Sequence, residues 1–443
     1  MIRRVFFTRE SAVRIAVVGG GIVGLTTARA LINRGHEVVL LDKAIVPATG
    51  ASAQNGAQLS YGYVAPLASP SIPWQVPHLL LARNSPLRLR PGFDPEAWRW
   101  CLEFLAACTR SRSDRTTRAL LKLSMESHRQ FERWRADVPA ERIEHARQGK
   151  LVIYRSAAGL DGARRQVELQ VGLGPAQEIL SAAQCLEREP ALDPSAPLAG
   201  GVWTPSEEVA DCAKVCSALA EQLGAESRFS ALWGYRFVRW DQRDAKVQGL
   251  VAEHRGQTQT IGFDACVVAA GAQTPQLLRP LGVRVPIQPL KGYSIDVGAE
   301  HVERMPSTSM TDTSIKTVFA PIGTGSARRL RVAGFAELVG QDMRIDHQRI
   351  ERLLDTVRTT FGLRGVPADV HPWTGLRPAT PTSLPCIGRA GALPNVFVNA
   401  GQGALGFTLA FGSAELLAAD LEGRARPIEI TTAHRAKLAG ADA

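Results

Sequence analysis

Between Gly19 and Gly24 the chain reads Gly-Gly-Gly-Ile-Val-Gly, a G-x-G-x-x-G spacing. The chemistry it offers is a row of backbone N–H groups with no side chains in front of them. Gly19 permits a tight turn, Gly21 lets the backbone approach a pyrophosphate, and Gly24 lets a helix lie close on a strand. Ile22 and Val23 open that helix, whose N-terminal amides suit a phosphate charge. Asp42 ends the next apolar run. Its carboxylate is placed to accept from a ribose 2′-hydroxyl and would repel a 2′-phosphate, which disfavours NADP. The pattern itself fits FAD and NAD equally. A second glycine turn, Gly401-Gln-Gly-Ala-Leu-Gly-Phe-Thr408, opens a helical stretch and repeats the anion-friendly junction at the far end of the chain. The segment Thr49-Gly-Ala-Ser-Ala-Gln-Asn-Gly56 supplies amides and hydroxyls suited to phosphate and ribityl oxygens, or to an ordinary surface loop.

These groups need elements to hold them. Arg14–Val18 reads as a buried parallel strand, 22–33 as a helix stopped by Gly35, and 37–41 as a second strand. Further strands are expected near 151–154, 228–233, 248–254, 259–270, 281–295, 316–320 and 328–338. Helices are expected at 95–135 (one or two), 212–223, 345–361 and 406–420. Strand–helix chemistry thus stands at both ends, with β-rich sequence between. One cofactor spanning a discontinuous domain explains this better than a separate N-terminal nucleotide domain. The expected class is α/β: a discontinuous Rossmann-like domain with GxGxxG, and a second, mixed-sheet α+β substrate domain. The first takes 14–95, part of 150–275 and 365–427; the second takes part of 96–210 and 280–364.

The 443 residues are 45% hydrophobic and 21% charged, which excludes collagen, coiled coil and disorder as the main state. Fifty-two Lys and Arg against 42 Asp and Glu leave a formal charge of +10. No compact basic tract with interleaved aromatics accompanies it, so nucleic-acid binding is not expected. Seven cysteines are scattered without a CxxC, which argues against a disulfide framework or a metal site and for a reducing compartment. No uninterrupted apolar run is long enough for a spanning helix, and the MIRRVFFTRE start does not read as a signal peptide. Cytoplasmic residence is the expectation, with peripheral contact at the inner face of the membrane left open. Trp98 and Trp100, with the Arg-rich 110–118 segment behind them, read as core, or as an interface to a partner or membrane.

With these residues in hand, the chain resembles the D-amino-acid oxidase superfamily of flavoproteins, with its closest likeness in the D-amino-acid dehydrogenase (small-subunit) branch. The likeness runs from about Arg14 to Pro427. It rests on the Gly19 to Asp42 unit, Ser52-Ala-Gln-Asn-Gly56 leading into Gly62-Tyr-Val-Ala-Pro66, Ala269-Ala-Gly271, Pro289-Leu-Lys-Gly-Tyr293, Trp373-Thr-Gly-Leu-Arg-Pro378 and Gly401 to Thr408. It implies FAD in an extended conformation and oxidation of an amine to an imine, which water hydrolyses to a 2-oxo acid. No protein base is required if the amine loses its proton before binding.

The resemblance implies a cofactor set that adds Lys43, Ser52, Asn55, Gly56, Gln58, Ala270, Gly271, Gly401, Gln402, Gly403, Ala404, Leu405, Gly406 and Thr408 to Gly19, Gly21, Ile22, Val23, Gly24 and Asp42. Gln402 stands where related sequences carry histidine. Arg377 matches the carboxylate-binding arginine: a planar guanidinium grips a carboxylate through two parallel hydrogen bonds. Tyr293 is placed to bond that carboxylate or to pack in the core, and Lys291 to face the flavin or solvent. Tyr61 and Tyr63 are further pocket candidates. Electrons would pass to a quinone or other carrier. Secondary amines such as glycine derivatives, proline or hydroxyproline are the alternative substrates, and a flavin-bound accessory subunit of a homo- or hetero-oligomer is the alternative role.

Overall fold

Four short apolar runs, Arg14–Val18, Glu37–Asp42, Ala265–Val268 and Val396–Ala400, lie side by side as parallel strands. Almost every residue in them is buried, as expected of a parallel sheet covered on both faces. Cys386–Arg389 and Phe229–Trp233 complete a six-stranded sheet in the order 386–389, 396–400, 265–268, 14–18, 37–42, 229–233. The chain therefore enters this sheet first, leaves it, returns at 229–268, and leaves again before closing it at 386–400. The computed structural model describes residues 12–73, 87–89, 94–243, 246–365, 367 and 370–430. The MIRRVFFTRE stretch lies outside them.

Helices Ile22–Ile32, Cys212–Gly224 and Gly406–Leu421 pack around this sheet, and Arg110–Arg135 lies against the last of them. Asp211 caps the 212–224 helix by accepting from the N–H groups of Ala213 and Lys214. The stretch Gly403–Leu421 is apolar and long enough to cross a membrane by length and composition, yet 72% of it is buried inside the protein. It is a core helix, with Phe407 and Phe411 packed edge-on to Phe131. A three-stranded antiparallel meander, 236–262, is appended to the six-stranded sheet.

The second sheet is larger and mixed. Its order is 373–379, 288–298, 329–338, 317–322, 309–312, 150–154, 200–204, 178–181, with 87–89 pairing on 329–338. Lys150–Tyr154 and Gly200–Thr204 lie in this sheet, within the expected 96–210 share of the second domain, whereas Trp373–Ala379, expected in the first domain with 365–427, also hydrogen-bonds here. One face packs on helix His347–Phe361 through Ile295, Val297, Ile350, Leu353, Val357 and Phe361. The other face meets the first sheet's loops.

A buried ion network fastens that contact. Asp296 and Arg331 sit opposite each other on adjacent strands and are paired directly. Arg331 also reaches Asp211 at 3.5 Å, while Arg329 bridges Asp296, Asp211 and Glu144 at 3.0, 2.9 and 2.9 Å. Asp211 and Glu144 belong to the side of the first sheet, so the charges are shared across the junction. Removing one member of a buried pair strands the others in a low dielectric and costs about 3–5 kcal/mol. Arg331→Met is therefore expected to lower the unfolding free energy by about that much in urea titration. Arg344→Met, at a side chain 90% exposed, should shift it by under about 0.5 kcal/mol. Equal effects of the two would refute the network's role.

Candidate active site

The glycine turn behaves as its spacing requires. Gly19 has φ +121° and faces the Ala269 carbonyl, and a side chain at Gly24 would run into the Gly19 carbonyl. Gly21 caps the Ile22–Ile32 helix with no side-chain bond and no acidic residue in the first turn, so the positive helix end stays available to an anion. Ser52, brought in from the following loop, accepts from the Ile22 N–H at 3.1 Å. Asp42 organises the turn while remaining half-exposed: its Oδ2 accepts from Gly20 N–H at 2.5 Å and its Oδ1 from Ala44 N–H at 2.8 Å. Lys43 is exposed beside it.

The late glycine turn is folded against the early one. Asn399 donates to Thr27 at 3.0 Å, Gln402 donates to Asn399 at 2.8 Å, and Thr26 donates to the Ala410 carbonyl at 3.2 Å. Gln402 is thus buried, and its amide holds the loop together. Ala404 is exposed, and Gly271, Gly403 and Gly406 all face open space. Ala270 caps the short turn Gly271–Gln273 beside Trp373–Ala379. Thr408 lies inside the helix, where its hydroxyl accepts from Ser60 N–H at 3.1 Å.

The second sheet supplies the opposite wall, and strand alternation decides what it shows. In Gln288–Gly298, Leu290, Gly292, Ser294 and Asp296 point toward the first sheet's loops. Ser294 donates to the Gln54 carbonyl at 2.7 Å, and Arg331 donates to the Asn55 carbonyl at 3.1 Å. Gly56 lies against Val318 and Ala333. The loop carrying Ser52, Asn55 and Gly56 is pinned to this wall by its own backbone.

Arg377 lies on the same face. It pairs in register with Leu290, and its guanidinium leans across Gly292, where a Cβ would come within 2.5 Å of Cζ. Gly292 stands opposite Gly375, whose vacant face is filled by the Trp373 ring. Among the described residues, the hydrogen bond given to this guanidinium is from Nη1 to the Phe335 carbonyl at 2.7 Å, and no carboxylate pairs with it. Burial pulls its pKa down to about 10. A charge held this way favours an incoming anion. The next strand residues bring the late loop alongside: Ala379 bridges to Gln402, and Trp100 donates to the Ala379 carbonyl at 2.9 Å.

The remaining sequence candidates lie elsewhere. Tyr293 and Lys291 occupy the odd positions of the strand and point to the helix-covered face, away from Arg377. Tyr293 donates to Glu337 at 3.2 Å, and Lys291 donates to the Arg344 carbonyl at 2.5 Å. Tyr61 is buried, stacked on His128 at 4.2 Å and bonded to Glu208 at 3.4 Å. Gln58 donates to the Met310 and Phe319 carbonyls and accepts from Lys150 at 2.7 Å, so it braces the second sheet. Lys150 also bonds Ser60 at 2.7 Å and lies 4.6 Å above the Tyr63 ring; burial pulls its ammonium down to about 8. His128, Glu132 and Glu208 approach metal-ligand spacing, where Arg147 already bonds both carboxylates. Phe335, Gly292 and Asn399 were not singled out from sequence; only the fact that Gly292 and Gly375 face each other would have flagged the site, and that is a pairing.

The open-faced helix end, the half-exposed Asp42 and the late glycine turn fit an extended dinucleotide. The comparisons agree. A model of the DAO family, FAD dependent oxidoreductase, matches residues 14–420. The chain is 45% identical over 423 residues to D-amino acid dehydrogenase 2 of Ralstonia nicotianae, covering 94% of this chain and 97% of that one. It is 42% identical over 424 residues to D-amino acid dehydrogenase 2 of Pseudomonas aeruginosa, covering 95% and 97%. The fold is similar to that of glycine oxidase from Geobacillus kaustophilus, with TM-score 0.70 and 20% identity over 94% of this chain and 97% of that one. An early and a late glycine turn on one discontinuous sheet, faced by a second sheet carrying Arg377, go with the match of residues 14–420 to the DAO family of FAD dependent oxidoreductases, to which this chain belongs.

Proposed function

We propose that this chain oxidises D-amino acids to 2-oxo acids and ammonia, as a D-amino acid dehydrogenase. The observation that carries this reading is Arg377: a partly buried, positively charged fork that no carboxylate among the described residues pairs with, on the wall facing the cofactor loops. Its natural complement is the carboxylate of a small substrate. The early and late glycine turns would hold FAD, which would supply a two-electron acceptor for the substrate hydride. The chain's own residues hold the acid group, exclude water from it and fix its distance to the loops. The relatives named D-amino acid dehydrogenase extend over nearly the full chain and supply the substrate class.

We infer further that the electron acceptor is a quinone or other carrier at a membrane surface. Trp98, Leu102 and Leu105 form one exposed apolar stripe on helix Pro95–Ala107, at 54%, 66% and 42% exposure. Exposed Arg110, Arg112, Arg115 and Arg118 follow directly. Apolar anchors next to arginines suit an anionic surface at the inner face of the cell membrane. Cytoplasmic residence follows from that placement.

Four measurements test the reading. Anaerobic addition of D-alanine or another D-amino acid should bleach the visible flavin bands, and the L-enantiomers should not; bleaching only by sarcosine or L-proline would move the assignment to secondary amines. Arg377→Ala should lower kcat/KM by roughly 30- to 5,000-fold, the ~2–5 kcal/mol attached to truncating one partner of a desolvated charge pair. Unchanged turnover would favour the accessory role. Gly292→Ala should leave the fold intact, since the colliding atoms are the mobile end of Arg377, and raise KM about tenfold or more with flavin content unchanged. Carrier use predicts rapid dye or quinone reduction with slow oxygen uptake.

A further inference from the structure

One residue in the wall holds a conformation its type rarely takes. Phe335 has φ +64°, in the left-handed region that bulky residues avoid at about 1–2 kcal/mol. It lies where the pairing between Gln288–Gly298 and Arg329–Leu338 slips: Lys291 faces Glu337, but Tyr293 faces Gly334. Phe335 and Ala336 together therefore oppose Gly292 alone, which makes a β-bulge. At this bulge the Phe335 carbonyl accepts from Arg377 Nη1 at 2.7 Å.

The ring accounts for why the bulge persists. Its edge meets Tyr293 at 5.9 Å and 90°, and the Arg349 guanidinium lies 4.6 Å from its centroid. Arg349 is held by buried Glu337 through Nε at 2.8 Å and Nη2 at 2.6 Å. The same carboxylate accepts from the Tyr293 hydroxyl. Ring, guanidinium, carboxylate and phenol form a closed clamp on the face opposite Arg377.

We propose that Phe335 is a positioning residue for carboxylate recognition. Its clamped ring holds the left-handed bulge, and the bulge aims a carbonyl that fixes the Arg377 guanidinium over Gly292. The proposal rests on the reading of Arg377 as the substrate-carboxylate anchor. Bulges beside active sites serve to re-aim one group, and strain there persists only where the surroundings over-determine it.

The test uses the flavin-loaded enzyme and two readouts: steady-state kinetics, and the dissociation constant of propionate read from the shift it causes in the flavin spectrum. Phe335→Leu keeps an apolar side chain but loses the clamp. It should raise KM and the propionate constant together, about tenfold, with kcat within about threefold and flavin content unchanged. Phe335→Tyr keeps the ring and should stay near the parent in both. Should the leucine variant not fold, Phe335→Met carries the same expectation. Parental propionate binding in Phe335→Leu, alongside loss of binding in Arg377→Ala, would overturn the proposal while sparing the carboxylate reading. Parental binding in Arg377→Ala would remove that reading and this proposal with it. Equal damage to flavin content in the leucine and tyrosine variants would reduce Phe335 to a packing residue and also overturn it.

Discussion

A partly buried guanidinium with no carboxylate partner among the described residues is an unfavourable arrangement, and the second sheet holds one at Arg377. Arg377 cannot shed its charge at working pH, so the protein must hold it where solvent is scarce and leave its fork unmatched. The arrangement depends on three backbone facts. Gly292 has no side chain where the guanidinium lies, the strand carrying Arg377 pairs with Leu290 in the register that brings them together, and the Phe335 carbonyl, at a bulge, accepts from the guanidinium. The first two are properties of the backbone alone, and the third leans on the Arg349–Glu337 clamp around the Phe335 ring. An anion that enters meets a prepared site and need not displace a resident partner, which keeps reorganisation small.

The second requirement is that this wall stay in place against the cofactor loops. The six-stranded sheet is assembled from segments at the start, the middle and the end of the chain, so its loops converge only in the folded state. Backbone carbonyls of Gln54 and Asn55 are bonded by Ser294 and Arg331, and the Asp296–Arg331–Arg329–Asp211 network carries charge across the same junction. A loop that would otherwise be free to breathe is tied to strands whose other side chains shape the substrate wall. The two walls of the candidate site are coupled through a few hydrogen bonds.

Much of this was legible before the fold was known. The glycine turn, the strand that precedes it, the strand ending at Asp42 and the helix after the late glycine turn are short-range patterns, and each forms where its spacing predicts. Arg377 was visible through the Trp-Thr-Gly-Leu-Arg-Pro context. Tyr293, Lys291, Gln58 and Tyr61 were not separable from it in sequence, because a residue's neighbours along a strand belong to both faces at once. Lys291 and Gly292 differ by one position and point in opposite directions. Gln58 sits three residues from Asn55, yet its amide braces two strands of the far sheet.

The sequence by itself determined which segments become buried parallel strands, where helix N-termini present amides, and that an anion-friendly glycine turn stands at each end of the chain. These follow from glycine spacing and hydrophobic period, which act over a few residues. Only the tertiary structure decided which face of Gln288–Gly298 looks at the cofactor loops, that Gly292 lies under Arg377, and that Phe335 takes a left-handed turn. Those outcomes depend on strand register and on a bulge. Register is fixed by partners dozens of residues away, so no local pattern encodes it.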